Sequence, residues 1–268
     1  MFIVCWRMRG PQLNMVYRVL YLGLGTLLVA SSACTSGRSQ NEAEAPEQDS
    51  KAVLYAEDFD SYEDGELPHG WWLEGGEAVY IEDGRLVIKA DPETERAPGH
   101  AATVWNKNQF SGNVQAEFDV HVVASSINVN NINFFLHYTH PGGNSTLYET
   151  RNFRLDGMYD HYHDLNGYIF TFVNTRHTEK DEARFRMRHC PGFGLMNQNY
   201  AYHCHKGQTY HVTITKQGDS LSHAVDGTVY LQGVDEKYNW TEGLMGFRTF
   251  HTDLWIDNFK VTRPDSGR

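Results

Sequence analysis

Val114-Gln115-Ala116-Glu117-Phe118-Asp119-Val120-His121-Val122-Val123 is the stretch that decides the fold. Val114, Ala116, Phe118, Val120 and Val122 fall on one face, and Gln115, Glu117, Asp119 and His121 on the other. That period of two is the signature of a strand with one face in a core. The same character extends to both sides. Ala78–Glu82 and residues 85–90 flank Asp83-Gly84, a strong two-residue hairpin turn. Residues 210–216 and Ser220–Val225 flank Gly218-Asp219, and Asp226-Gly227 separates Ser220–Val225 from residues 228–231. Residues 132–138, 167–173, 183–189, 244–247 and 254–261 read as further strands, while helix signals are nearly absent. Roughly a dozen short strands in one domain mean an all-β sandwich.

The two ends of that domain are alike in character. Residues 55–62 (YAEDFDSY) and 255–261 (WIDNFKV) each place an acidic residue beside a core-type Phe. Side-by-side pairing of first and last strands would close the sandwich and bring Asp58, Asp60 and Asp257 together. Calcium takes such oxygen-rich groups; edge solvation and turn capping account for the same residues without it. No other cofactor is expected.

Upstream, residues 1–33 read as a signal peptide. Arg7, Arg9 and Arg18 precede an apolar run, Val19 to Ala30, that is short for a spanning helix. Cys34 follows Ser31, Ser32 and Ala33, which resembles a bacterial lipoprotein signal with lipid on the Cys34 sulfur. Position 31 is Ser where that pattern has Leu, so ordinary secretion is the alternative. Either way the chain is exported, and an outer-membrane lipoprotein touching the membrane only through its anchor is the expectation. Residues 34–51 are polar and acidic without aromatics, a tether that cannot bury a core. The sandwich domain then occupies residues 52–264.

Net charge is −11, and the signal holds three Arg and no acid, so the remainder is more acidic still. Nucleic acid is excluded as the main partner, because phosphate binding needs a basic face. A local Arg cluster inside an acidic protein still suits an anionic glycan. Beyond Cys5 and Cys34 the chain has Cys190 and Cys204, a single pair in an exported protein, for which a disulfide is the expectation. His189, His203 and His205 crowd the same pair, but the H-C…H-C-H spacing matches no standard zinc pattern, so no metal is assigned.

Between Asn131 and Phe193 an otherwise strand-like region carries His137, His140, Tyr159, His161, Tyr162, His163, Tyr168, Asn174, Arg176, His177, Arg184, Arg186, Arg188 and His189. A sheet that needs only a core does not need so many proton-transfer and anion-binding side chains. Parity sorts some of them. Tyr168, Phe170 and Phe172 share one strand face, and Ile169, Thr171 and Val173 the other. Arg184, Arg186 and Arg188 share a face opposite Phe185 and Met187, the core partners. That Arg row is either a solvated surface or a groove wall that reads carboxylate or sulfate. His161 and His163 face one way if their segment is extended.

Trp71-Trp72-Leu73-Glu74-Gly75-Gly76, Tyr162-His163…Asn166, Ala183-Arg184-Phe185-Arg186…Arg188 leading to Gly192-Phe193, and Gly246-Phe247-Arg248 occur in this order. Together they resemble the YesU-like family of bacterial proteins, encoded in pectin and rhamnogalacturonan utilisation clusters. The resemblance implies a concanavalin A-like jelly roll of two curved antiparallel sheets, with a concave face of the kind that commonly binds a glycan. It supplies no mechanism.

The residues themselves suggest one. β-Elimination at a uronic acid needs a neutralised carboxylate, a base and an acid. His163 is the expected base, with His137 as the alternative. Tyr168 is the expected acid, with Tyr162 as the alternative. Arg176 and Arg188 form the expected carboxylate clamp, supported by Arg186, Asn174 and Arg248, with Trp72 as a stacking platform. The expected function is therefore a polysaccharide lyase acting on an anionic polysaccharide or oligosaccharide. A non-catalytic glycan-binding lipoprotein is the first alternative. A glycoside hydrolase is the second, weakened because no carboxylate pair shares an inward face: Glu117 and Asp119 lie opposite Phe118.

Overall fold

The computed structural model describes residues 52–92, 99–143, 146–174, 183–201 and 204–265. Fifteen strands follow one another in these residues. They are β1 (Val53–Glu57), β2 (Trp71–Gly75), β3 (Ala78–Glu82), β4 (Arg85–Lys89), β5 (Ala101–Ser111), β6 (Val114–Ala124), β7 (Ile132–Thr139) and β8 (Asn166–Asn174). After them come β9 (Ala183–Cys190), β10 (Gly194–Ala201), β11 (Thr209–Gln217), β12 (Ser220–Val225), β13 (Thr228–Val234), β14 (Glu242–Phe250) and β15 (Asp253–Thr262). Two short 3-10 turns, Arg151–Arg154 and Tyr159–Tyr162, lie between β7 and β8.

The strands form two antiparallel sheets, a jelly-roll sandwich. One runs β13-β12-β11-β6-β15-β4-β3, with β1 paired to β15; the other runs β10-β9-β8-β7-β14-β5-β2. The expected closure by the chain ends is present: Tyr55 pairs with Val261 and Glu57 with Phe259. Turn chemistry accounts for the tight hairpins. Asp83 and Gly84 both have positive φ, as do Asp226 and Gly227, the geometry of a two-residue turn matched to strand twist.

Between the sheets lies one aromatic core. Phe118 from the first sheet meets Phe134 and Phe247 from the second at ring-centroid distances of 5.2 and 4.9 Å. The alternating side chains Val114, Ala116, Phe118, Val120 and Val122 of β6 are all fully buried there. Burying each large side chain contributes about 1.5–3 kcal/mol. Trp71 also faces this core, stacked on Phe247. Trp72 points the opposite way, as neighbours in a strand must, yet it too is buried, in a second cluster on the outer face of the second sheet.

Two sequence expectations fail here. His161 and His163 belong to a 3-10 turn and its C-terminal end, not to an extended segment. Cys190 and Cys204 are both free thiols. Cys190 sits in the outer cluster near the Tyr138 hydroxyl, while Cys204 sits in the core between the sheets, so the fold assigns the pair to two separate interiors.

Candidate functional site

The outer face of the second sheet is divided in two. At one end, Trp72 of β2, Trp105 of β5, Phe135 and Tyr138 of β7 and Ile169 of β8 are roofed by Leu147, Tyr162 and Leu165 from the β7–β8 connection. Glu74 anchors this roof. Its carboxylate accepts hydrogen bonds from Trp72 Nε1 (3.1 Å), Trp105 Nε1 (3.1 Å), Tyr162 Oη (3.0 Å), Arg154 Nε (2.9 Å) and Arg154 Nη2 (2.8 Å). Glu74 is fully buried and Arg154 nearly so. A buried charge is tolerated only when paired and hydrogen-bonded, and every oxygen of this one is.

At the other end the same face carries a cavity of about 370 Å³. Arg184, Arg186 and Arg188 of β9 stand in ladder register with Val173, Thr171 and Ile169 of β8, so these side chains share the outer face. Phe185 and Met187 between them are fully buried in the core. Asn131 precedes β7 and Asn133 lies in it; Arg248 and Phe250 of β14 complete the floor, and Met158, Tyr159 and Phe193 rise at the side. No Asp or Glu is among the described residues lining it.

Among the described residues no ion pair neutralises these guanidiniums. Arg188 donates to the Phe193 carbonyl (2.8 Å) and lies 3.9 Å over the Phe193 ring. Arg248, 3% exposed, lies 4.2 Å over the Tyr159 ring and donates one Nη2 bond to the Gly157 carbonyl at 3.3 Å. Among the described residues, the Nε groups of Arg184, Arg186 and Arg248 and the Oδ1 of Asn133 are buried without a hydrogen-bond partner. Burial pushes Arg184, Arg188 and Arg248 below the ordinary arginine value, and the Arg186 charge pushes Arg184 and Arg188 further down. The cavity wall thus holds cations that repel one another in a partly desolvated setting.

The expected site residues divide accordingly. Arg186, Arg188 and Arg248 line the cavity, so the Arg row forms part of its wall. Asn174 borders it, but its amide group is engaged by Cys204: Nδ2 donates to the Cys204 carbonyl (2.7 Å) and Oδ1 accepts from the Cys204 amide (2.9 Å). His163 lies behind the wall, its ring stacked 3.7 Å from Phe193 on the side away from Arg188. Tyr168 does not reach the cavity: it is fully buried in the core and donates to Asp235 Oδ2 (2.7 Å). Burial and the Asp235 charge raise it far above the ordinary tyrosine value. Tyr162 and Trp72 serve Glu74 under the roof. His137 occupies a bulge of β7 at φ +53°, which turns it away from the outer face toward the Trp240 carbonyl (3.2 Å). Arg176, His177 and Cys34 lie outside the described residues.

Asp257 is held above its ordinary value, first by burial and then by Asp119 and Asp60. Among the described residues no group of three or more His, Cys, Asp or Glu is placed to hold a metal. Glu117 and Asp119 face outward from the first sheet, bonded to His211 (2.8 Å for Asp119), far from any shared carboxylate geometry with the cavity.

Sequence reasoning singled out Tyr159 without giving it a role in the site, and it missed Phe193, Asn131, Asn133 and Thr171. Parity held the signal for two of them: Asn133 lies opposite in phase to the core residues Ile132 and Phe134, and Thr171 to Phe170 and Phe172.

A family model described as "Domain of unknown function (DUF6250)" matches residues 97–259. No curated protein is similar in sequence. Among solved structures, a protein of unknown function with a galectin-like fold from Bacillus subtilis superposes with a TM-score of 0.61 and 17% identity, covering 79% of this chain and 96% of its own. An endo-β-1,3-glucanase from Pyrococcus furiosus gives 0.51 and 15%, covering 80% and 95%. The carbohydrate recognition domain of Emp47p gives 0.52 and 13%, covering 80% and 98%. At these identities the likeness is one of fold.

Proposed function

The chain belongs to the DUF6250 family, and from the arginine-lined cavity we propose that it recognises an acidic sugar of a polysaccharide, one bearing carboxylate or sulfate. The observation that carries this reading is the convergence of Arg184, Arg186, Arg188 and Arg248 on one cavity without a lining Asp or Glu among the described residues. Desolvating cations that repel one another is unfavourable, and an anion that bonds to them offsets the cost. The remaining lining suits a sugar: Tyr159 and Phe250 offer aromatic surface, and Asn131, Asn133 and Thr171 offer hydrogen bonds to hydroxyls. The resemblance to the YesU-like family, and two fold neighbours named as a carbohydrate recognition domain and a glucanase, point the same way. Export and a lipid on Cys34 belong to the proposal, and mass spectrometry of the mature N-terminus tests them. For the site, titration of the purified protein with uronate-bearing, sulfated and neutral oligosaccharides is the test. Binding confined to the charged series, weakening as salt rises, is the expected result; equal binding of neutral sugars contradicts it.

Lyase action is the second reading, supported by Tyr159, the hydroxyl-bearing ring packed under Arg248. Burial raises Tyr159, with Arg248 opposing, so it is protonated at neutral pH and suits the acid's role. The proposed base His163 stands behind Phe193, and recognition without turnover therefore ranks first. Ultraviolet absorbance of the unsaturated sugar decides between them: a rise that vanishes in Tyr159→Phe establishes elimination.

A further inference from the structure

The cavity is graded along the sheet. On β9 the Arg184, Arg186 and Arg188 side chains are half-buried, whereas Arg248 on β14 is 3% exposed. Beyond β14 the next strand, β5, adds only Ala101 to the lining, and β2 adds nothing. Residues 155–157 lie directly on them: the Gly75 amide donates to the Leu155 carbonyl at 3.1 Å, and Gly157 presses against the Ala101 carbonyl and Gly75. The approach is so close that a Cβ on Gly157 would come within 2.3 Å of the Ala101 oxygen, and Gly157 has φ +66°. Both features demand glycine there. This segment is not a loose flap. Arg154 immediately before it is clamped by the buried Glu74, and Arg248 donates to Gly157 from below. A polysaccharide laid across the strands from β9 toward β2 would meet a wall immediately after Arg248.

Resting on the reading of the cavity as an acidic-sugar site, we infer that it takes a chain end rather than a chain interior. The terminal acidic sugar is seated against Arg248 and Gly157, and the rest of the chain leaves over the β9 arginines. The volume agrees. At about 370 Å³ the cavity is near the lower end of ligand pockets, which run from roughly 300 to 1,000 Å³, room for one or two sugar rings and not for a long segment. Arg248 supplies the selective contact at the closed end, because its buried Nε has no partner among the described residues.

The test is calorimetric titration of the full protein with galacturonic, mannuronic and sulfated galactan oligosaccharides of defined length, one to eight units. For the series that binds, one protein per chain is expected at every length, with affinity level beyond two or three units. Reducing the reducing end to the alditol, or capping the opposite end in a separate sample, is expected to weaken binding at least tenfold in one case and little in the other. Stoichiometry that climbs with chain length, or indifference to both end modifications, overturns end recognition while leaving the acidic-sugar site standing. Absence of binding in every series overturns both.

Discussion

The guanidinium of Arg154 forks onto both carboxylate oxygens of Glu74, at 2.8 and 2.9 Å, where neither side chain is more than 4% exposed. One ion pair thus fastens the β7–β8 connection to β2 and sets the wall of the cavity. Replacing Glu74 by Gln leaves a buried cation without its anion. The expected loss is about 3–5 kcal/mol of stability, read from urea unfolding. Binding of the acidic probe falls with it, because Tyr159 and Gly157 follow Arg154 in the chain.

Arg186 behaves in the opposite manner. Its neighbours Arg184 and Arg188 repel it, and its Nε is unpartnered. Arg186→Gln should change stability by no more than about 0.5 kcal/mol while lowering affinity for acidic oligosaccharide about tenfold or more. A variant that loses stability but keeps affinity would remove this residue from the site.

His223 is 2% exposed between Phe170 and Phe185, with its Nδ1 unpartnered. Burial pushes it down to about 3, and pushes His137 down to about 4, from an ordinary value of 6.5. Below pH 6.5 the unfolded chain protonates both rings and the folded chain does not. The stability they contribute is therefore complete above pH 6.5 and falls as pH drops toward 4, by about 1.4 kcal/mol per pH unit for each ring. Urea unfolding at pH 7, 6 and 5 should show a shallower decline for His223→Gln. An unchanged decline assigns the acid sensitivity to other groups.

Burial raises both Cys190 and Cys204 above the ordinary thiol value. Alkylation followed by peptide mapping is expected to leave both untouched in the native protein and to label both after unfolding, with no reductant needed. A disulfide-linked peptide spanning the two would contradict the free-thiol structure.

The strands were legible where side chains alternate and turns carry Asp-Gly, as in β3–β4, β6 and β11–β13. Strand β10 (GLMNQNYA) was not, because an edge strand rich in Asn and Gln shows no apolar period. The placement of Tyr168 in the core was legible: it shares parity with Phe170 and Phe172, and that parity already argued against a catalytic role. The Arg row was legible as one face but not as a groove. What makes it a groove is Phe193 and the 155–159 wall, and the wall depends on Glu74 meeting a residue 80 positions away. No local pattern encodes that meeting. The cysteine expectation failed for a similar reason, since sequence proximity says nothing of which side of a sheet a residue enters.

Strand β15, the last strand of the described residues, does not lie at an edge. It fills the slot between β6 and β4 and also carries β1. Without β15 the first sheet falls into the fragments β13-β12-β11-β6 and β4-β3, with β1 left unpaired. Closure entropy for the β1–β15 pairing is paid over nearly the whole described domain, and deleting Asp253–Thr262 removes the keystone of the sandwich rather than trimming its border.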